Sequence, residues 1–113
     1  MFFASKKNLK FVSMYSLGID LGSSSVKLSL LDIESGKCVA SATNPPKEAP
    51  ISSPHKGWAE QAPTDWWKYL SDGMAELAAQ CDLSQVASVG ISYQMHGLVA
   101  VDKDGTPVRD SII

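Results

Sequence analysis

YSLGIDLGSSSVKLSLLD, residues 15–32, is the stretch of sequence that decides the fold. Apolar side chains occupy every second position from Tyr15 to Leu21, and small or polar residues lie between them. This alternation predicts a strand with one aliphatic face and one small or polar face. Gly22 and the three serines that follow it interrupt the pattern, and residues 26–32 resume it as a second strand.

The residues after this stretch complete an α/β pattern. A turn at residues 34–37, with Gly36 able to adopt positive φ, and a third strand at residues 38–42 predict an antiparallel meander. Apolar residues at helical spacing predict a helix over residues 65–81, with Thr64 as its N-cap. Alternation predicts a fourth strand at residues 87–93. We expect a fifth strand at residues 98–101, followed by a turn at residues 102–105. We therefore expect an α/β fold: a mixed sheet with an antiparallel meander, a crossover helix and further strands.

Between the third strand and the helix, residues 44–63 hold five of the six prolines and show no regular period. A segment of this length without its own secondary structure is typical of a binding loop or a surface wrap. At the helix start, we interpret Trp66 and Trp67 as core and interface packing rather than as a stacking site for a ligand.

Composition narrows the function classes. The 113 residues allow one compact domain, and a net charge of −2 excludes a general nucleic-acid clamp or a polybasic membrane binder. No apolar run approaches the roughly 20 residues of a membrane span. We expect Cys38 and Cys81, which have no metal-ligand spacing, to be reduced, packed thiols of a cytoplasmic protein. Residues 1–14 carry no signal-peptide pattern, and we expect them to form a mobile extension ahead of a domain at residues 15–113.

The crossover helix places two polar segments together. A helix between strands three and four can set strand four parallel to strand one. If these strands are neighbours, Gly22–Ser25 and Gln94–Gly97 leave the same edge of the sheet, about 5 Å apart, and can touch one ligand.

The first segment suits an anion. Gly22 permits a tight turn, and the N–H groups and hydroxyls of residues 23–25 can face phosphate. Asp20 lies on the small-residue face beside it, and a carboxylate next to phosphate calls for a bridging cation, here Mg²⁺ held through water. The alternative, in which Asp20 and Gly22 serve only a hairpin, stays open. We interpret Lys27 as a solvent-exposed strand lysine, although its side chain could reach the anion.

The second segment suits a sugar. Gln94, His96 and nearby main-chain groups can hydrogen-bond hydroxyls, Met95 can form one wall of a pocket, and Gly97 permits close approach. The alternative is a strand end that carries a histidine with structural hydrogen bonds only.

Three stretches together carry a resemblance to a known family. They are Gly18-Ile19-Asp20-Leu21-Gly22-Ser23-Ser24; Gly57-Trp58-Ala59-Glu60-Gln61 with Pro63 and Trp66-Trp67; and Gly90-Ile91-Ser92-Tyr93-Gln94-Met95-His96-Gly97. From Tyr15 onward the chain resembles the N-terminal part of the FGGY carbohydrate kinases, which share the actin-like ATPase (ribonuclease-H-like) fold. The third stretch is typical of the xylulose-phosphorylating members.

The resemblance implies ATP-dependent phosphorylation of a ketopentose, in the first place D-xylulose to D-xylulose 5-phosphate, with ATP and Mg²⁺ as cofactors. It makes Asp20 the acidic residue near the metal and the γ-phosphate. Gly22, Ser23 and Ser24 become the phosphate-binding loop. Gln94, Met95, His96 and Gly97 become the sugar-binding segment, in which Met95 and His96 contact the ketopentose. Ser23 replaces a usual threonine, and Ser25 stands where glycine is common.

Family kinases are several times longer than this chain. The resemblance therefore implies an N-terminal fragment that is inactive alone, because the catalytic base lies outside it. The alternatives are a kinase for another sugar or polyol and a non-catalytic, sugar-binding remnant. The resemblance also allows a homodimer of the full-length enzyme.

Overall fold

The computed structural model of the chain describes residues 13–113. Its elements are β1 (Tyr15–Leu21), β2 (Val26–Asp32), β3 (Cys38–Asn44), β4 (Glu60–Gln61), α1 (Pro63–Ala78), a 3₁₀ turn (Leu83–Gln85), β5 (Val86–Tyr93) and β6 (Ser111–Ile112). Of the extension predicted at residues 1–14, only residues 13 and 14 are described, and the Met14 carbonyl accepts a 2.9 Å bond from Ile33 N–H. The rest of that prediction lies outside the described residues. None of the helices in residues 13–113 has the length and apolarity to cross a membrane.

The main sheet has the strand order β3-β2-β1-β5. The predicted antiparallel meander is confirmed: β1 pairs with β2, and β2 pairs with β3. Gly36 adopts a φ of 68°, as the turn before β3 requires. β3 runs two residues further than predicted, to Asn44, because Val26 of β2 still pairs there. The Asn44 side chain then donates to Glu76 Oε1 at 2.8 Å and ties the end of β3 to the helix.

Helix α1 begins earlier than predicted. Ala62 is the N-cap in extended conformation and Pro63 is the first helical residue, so the predicted cap at Thr64 is wrong. Proline suits this position because its missing N–H would have had no partner in the first turn. The helix ends at Ala78 rather than at the predicted Cys81. Beyond its end, the Cys81 N–H donates to Leu77 O at 2.9 Å.

The core lies between α1 and the meander. Its buried residues are Leu17, Val26, Leu28, Leu30, Ala40, Ala42 and Leu77. Gly73 brings the helix close to the sheet, because a Cβ built there would lie 2.5 Å from Leu28 Cδ1. Trp66 is half-buried as expected, whereas Trp67 is 70% exposed, so the prediction of core packing is wrong for the second tryptophan.

The long segment before α1 is more ordered than predicted. Ser52 pairs with Glu60, and β4 pairs with β6 as a second, two-stranded sheet. Glu60, which is buried, forms an ion pair with Arg109, whose guanidinium lies 5.8 Å from the centre of the Trp58 ring. This link fastens the end of the chain to the segment between β3 and α1.

The predicted fifth strand at residues 98–101 is not formed. Leu98 and Val101 make only isolated bridges, to Ile112 and Pro107. The turn at residues 102–105 does reverse the chain, since Asp102 N–H donates to Thr106 O at 2.9 Å. Cys38 and Cys81 are free thiols, but Cys38 is exposed rather than packed.

Candidate functional site

β5 joins the sheet beside β1 and runs parallel to it. The predicted first and fourth strands, which are β1 and β5 in the structure, are therefore parallel neighbours, and that prediction is confirmed. Leu21 and Tyr93, the last residues of the two strands, are Cα partners, and Gln94 N–H extends the ladder by donating to Leu21 O at 2.9 Å. The turn after β1 and the segment after β5 therefore leave one edge of the sheet side by side.

The turn after β1, residues 22–25, is closed by Gly22 N–H, which donates to Ser25 O at 3.0 Å. A Cβ at Gly22 would lie 3.0 Å from that same oxygen, a tight contact that glycine avoids. Ser23 and Ser24 are exposed. Within residues 13–113, no acceptor lies in hydrogen-bond reach of the Ser23 or Ser24 N–H groups. The turn thus presents free donors and hydroxyls, as anion binding requires.

Asp20 projects from the opposite face of β1 to the core. Its Oδ1 accepts a bond from Ser92 Oγ of β5 at 2.9 Å, and the carboxylate is exposed. The single bond to Ser92 orients the group and leaves its other oxygen without a partner among the described residues. Asp20 is therefore available to a ligand at the edge where the turn begins.

Asp20 lines a groove of about 490 Å³ on the helix-free face of the sheet. The lining residues are Gly18, Ile19, Asp20, Lys27, Ser29, Gly90, Ile91 and Ser92. Lys27 is the Cα partner of Asp20 across β2, so the two opposite charges lie on the same face. The interpretation of Lys27 as an exposed strand lysine is confirmed, but its side chain also lines the groove with Asp20. In the sequence, Lys27 lies two residues after the turn and, by the alternation of the two strands, on the same face as Asp20. This position indicates that the Lys27 side chain lies near Asp20.

The segment after β5, residues 94–97, forms an exposed tip. Met95 is 76% exposed, and His96 adopts a φ of 66°, which makes it the one non-glycine residue with positive φ in residues 13–113. Backbone strain of this kind concentrates at functional sites. Beside the tip lies a cavity of about 130 Å³ lined by residues that include Leu21, Trp66, Gln94 and Gly97. Gln94 Nε2 is buried and has no hydrogen-bond partner in the described part of the chain.

Two further residues hold the turn in place, and no local pattern in the sequence indicates this role. Gln61, at the end of β4, donates from Nε2 to Ser23 O at 2.5 Å. Ala49 N–H donates to Ser24 O at 2.7 Å. Both come from the proline-rich segment, which therefore wraps against the turn rather than crossing open surface.

The described residues contain no group of three or more histidine, cysteine, aspartate or glutamate side chains that could hold a metal. Asp20, with the serine hydroxyls of the turn, therefore offers one carboxylate and neutral oxygens. This donor set does not form an all-protein cage. It does fit Mg²⁺, which keeps most of its waters and binds through one or two carboxylates together with substrate phosphates.

Comparison with known proteins shows similarity to xylulose kinases and to a gluconate kinase. The Klebsiella pneumoniae xylulose kinase is 41% identical over 97 residues, which cover 86% of this chain and 19% of that protein. A crystal structure of a "xyloylose kinase" from Brucella ovis matches with a TM-score of 0.79 and 36% identity, over 88% of this chain and 20% of the other. A gluconate kinase from Lactobacillus acidophilus matches with a TM-score of 0.78 and 30% identity, over 89% and 20%.

The chain thus spans about a fifth of the length of the relatives that it matches. These kinases have the actin-like ATPase fold that the sequence predicts. The family model for the N-terminal domain of the FGGY carbohydrate kinases matches residues 15–113, the same range that carries the sheet, the turn and the tip. By this match, and by its fold, the chain belongs to the FGGY family of carbohydrate kinases.

Proposed function

We propose that residues 15–113 are the N-terminal part of an ATP-dependent kinase that converts D-xylulose to D-xylulose 5-phosphate. One observation carries the proposal: parallel pairing of β1 and β5 sets the serine turn beside the tip at residues 94–97, joined by the Gln94–Leu21 hydrogen bond of 2.9 Å. The kinases that share 36–41% identity with this chain over 97–99 residues are xylulose kinases. Their name supplies the substrate, and the juxtaposition supplies a place for it.

In this proposal the turn holds phosphate. The free N–H groups of Ser23 and Ser24 and their hydroxyls donate to phosphate oxygens, and Lys27 adds a positive charge from the adjoining strand. Asp20 would hold hydrated Mg²⁺, which neutralises phosphate charge when it is bound. Phosphoryl transfer depends mainly on positioning the phosphate and stabilising its charge. A turn held in one conformation, with N–H groups free to donate, can do both.

The tip presents the acceptor sugar. His96 and Gln94 offer hydrogen bonds to ketose hydroxyls, and Met95 and Gly97 shape the wall that faces them. Gln94 Nε2 is a buried donor without a partner in the described residues, and an unpaired buried amide costs about 1–3 kcal/mol. Rotation of its amide into the cavity that Gln94 lines would let it donate to a sugar hydroxyl. The hydroxyl that attacks must still lose a proton. We place the group that accepts it outside residues 15–113, and we expect the 113-residue chain alone not to transfer phosphate.

A second candidate is a kinase of the same family for another sugar or sugar acid. The gluconate kinase matches this fold as closely as the Brucella ovis enzyme does, with TM-scores of 0.78 and 0.79. The two candidates share the Asp20 turn and differ in what the tip binds.

The test uses a hybrid kinase in which residues 15–113 replace the corresponding segment of the Klebsiella pneumoniae enzyme. We expect phosphorylation of D-xylulose in preference to gluconate and polyols. Asp20→Asn should lower kcat by about 10²-fold or more with little change in the KM for ketose. His96→Ala should raise the KM for ketose by about tenfold, the equivalent of one lost hydrogen bond.

Asp72→Asn is the matched control for Asp20, because Asp72 is a carboxylate of α1 that pairs with Lys68 at the surface. It should leave the kinetics unchanged. A folded hybrid that prefers gluconate would favour the second candidate. Full activity in Asp20→Asn, or transfer by the 113-residue chain alone, would contradict the proposed roles.

A further inference from the structure

Gln61 is a buried amide with three hydrogen bonds. It is 5% exposed, and its Nε2 donates to Ser23 O at 2.5 Å and to Pro50 O at 3.3 Å. Its Oε1 accepts from Trp66 Nε1 at 3.1 Å. One side chain therefore joins the serine turn, the proline-rich segment and the first turn of α1.

The chemistry of the three partners fixes both the identity and the orientation of this side chain. An indole N–H can only donate, so Trp66 must face the amide oxygen. The two carbonyls can only accept, so Ser23 and Pro50 must face the amide nitrogen. Glutamate at position 61 could accept from Trp66 but could not donate to either carbonyl, and methionine could do neither.

Fixing the Ser23 carbonyl also fixes the direction of a donor. In a trans peptide, the C=O of one residue and the N–H of the next point in opposite directions. With the Ser23 oxygen held toward Gln61, the Ser24 N–H points away from the proline-rich segment. The Ala49 N–H acts in the same way on the next peptide, because it holds Ser24 O at 2.7 Å. Rotation of either peptide would turn a carbonyl oxygen toward the proposed phosphate site and turn the N–H of that peptide away from it.

We propose that Gln61 is a positioning residue for phosphate binding, which acts by holding the Ser23 carbonyl so that the Ser24 N–H faces the polyphosphate of ATP. This inference rests on the proposed kinase function. It assigns a role to the last residue of the Gly57–Gln61 stretch, which touches the turn but not the tip at residues 94–97. The turn should therefore lose affinity for ATP when Gln61 is changed, and the sugar site should not.

The test compares three variants in the hybrid kinase. Gln61→Glu and Gln61→Met keep the length of the side chain but remove both donors. Trp66→Phe is the matched control for the KM for ATP alone, because it removes the bond at Oε1 and leaves Gln61 free to donate to Ser23, whereas Trp66 also lines the cavity beside the tip. We expect both Gln61 variants to raise the KM for ATP about tenfold while the KM for ketose stays within twofold. Trp66→Phe should change the KM for ATP by less than threefold.

A merely structural role would lower kcat through loss of active enzyme and leave both KM values unchanged, and that result would overturn the inference. So would a tenfold rise in the KM for ATP in Trp66→Phe alone. A second measurement does not depend on kinase activity: the ¹³C NMR shift of the Ser23 carbonyl, which accepts from Gln61, in the 113-residue chain with and without Gln61→Met. An unchanged shift would overturn the role of Gln61 even if the parent hybrid phosphorylates xylulose. An inactive but folded parent hybrid, with a changed shift in Gln61→Met, would overturn only the kinase function.

Discussion

His96 allows a direct test of the strain at the tip. Its φ of 66° places it in the left-handed region, where a Cβ costs roughly 1–2 kcal/mol. Glycine avoids that cost but loses about 0.5–1 kcal/mol more backbone entropy on folding than alanine. We therefore expect His96→Gly to be more stable than His96→Ala by roughly 0.5–1 kcal/mol. Both variants remove the imidazole, so the difference between them reports the backbone alone.

The measurement is urea-induced unfolding of the 113-residue chain, followed by tryptophan fluorescence at neutral pH. Met95 supplies the matched control, because it is exposed, adjacent and does not have positive φ. At position 95 the order should reverse, with glycine less stable than alanine by about 0.5–1 kcal/mol. His96→Ala itself should lie within about 0.5 kcal/mol of the parent chain, since the exposed imidazole has no hydrogen bond within residues 13–113.

The two pairs of variants must differ in sign for the reasoning to hold. If glycine and alanine are equally stable at position 96, the residue is not held in the left-handed region in solution. If glycine is more stable than alanine at position 96 but not at position 95, the left-handed backbone at His96 lowers the stability of the chain. The histidine has then been kept for its function at the expense of stability. In the hybrid kinase both His96 variants should then lose ketose affinity to the same extent, because neither can hydrogen-bond the sugar.

Two further predictions concern the scaffold. Gly73→Ala should destabilise the chain by about 1 kcal/mol in thermal unfolding, because overpacking against buried Leu28 costs more than the gain in helix propensity of about 1 kcal/mol; a more stable variant would contradict the close packing. Hydrogen bonds from the Ser84 side chain and backbone lower the pKa of Asp82. Its contribution to stability is therefore present above the ordinary carboxyl range and is lost as pH falls through the lowered value, and an NMR titration midpoint at or above the ordinary value would refute this.

The sequence alone was sufficient to predict the strands whose two faces differ in polarity. β1 and β2 were predicted to the residue because apolar residues alternate from Tyr15 to Leu21 and again from Val26 to Leu30, with a break at Gly22. The prediction of a fifth strand failed because the short apolar run at residues 98–101 shows only that a strand is possible. A strand also needs a partner of similar length, and here Ile112 and Pro107 offer one bridge each.

The candidate site divides in the same way. Asp20, the serine turn and the tip lie at strand ends, which local pattern and the crossover rule can place. The role of Gln61 could not be predicted in this way, because its hydrogen-bond partners Ser23, Pro50 and Trp66 lie 38, 11 and 5 residues from it in the sequence. The exposure of side chains could not be predicted from the sequence either. Ile91 alternates like a core residue but is 66% exposed, because α1 packs on β2 and β3 and leaves β5 uncovered.

A single irregularity in the sheet brings the site into phase. Tyr15 pairs with Val86 but Ser16 pairs with Ser88, so β5 contributes one extra residue, Ala87, at this point. Without that shift, Asp20 would lie beside apolar Ile91 rather than Ser92, and the polar face of one strand would adjoin the apolar face of the other. With it, the small and polar residues of both strands share the helix-free face. The extra residue thus gives Asp20 its hydrogen bond from Ser92, and the same alternation that packs β1 on the helix side places the carboxylate on the opposite face, two residues before the turn.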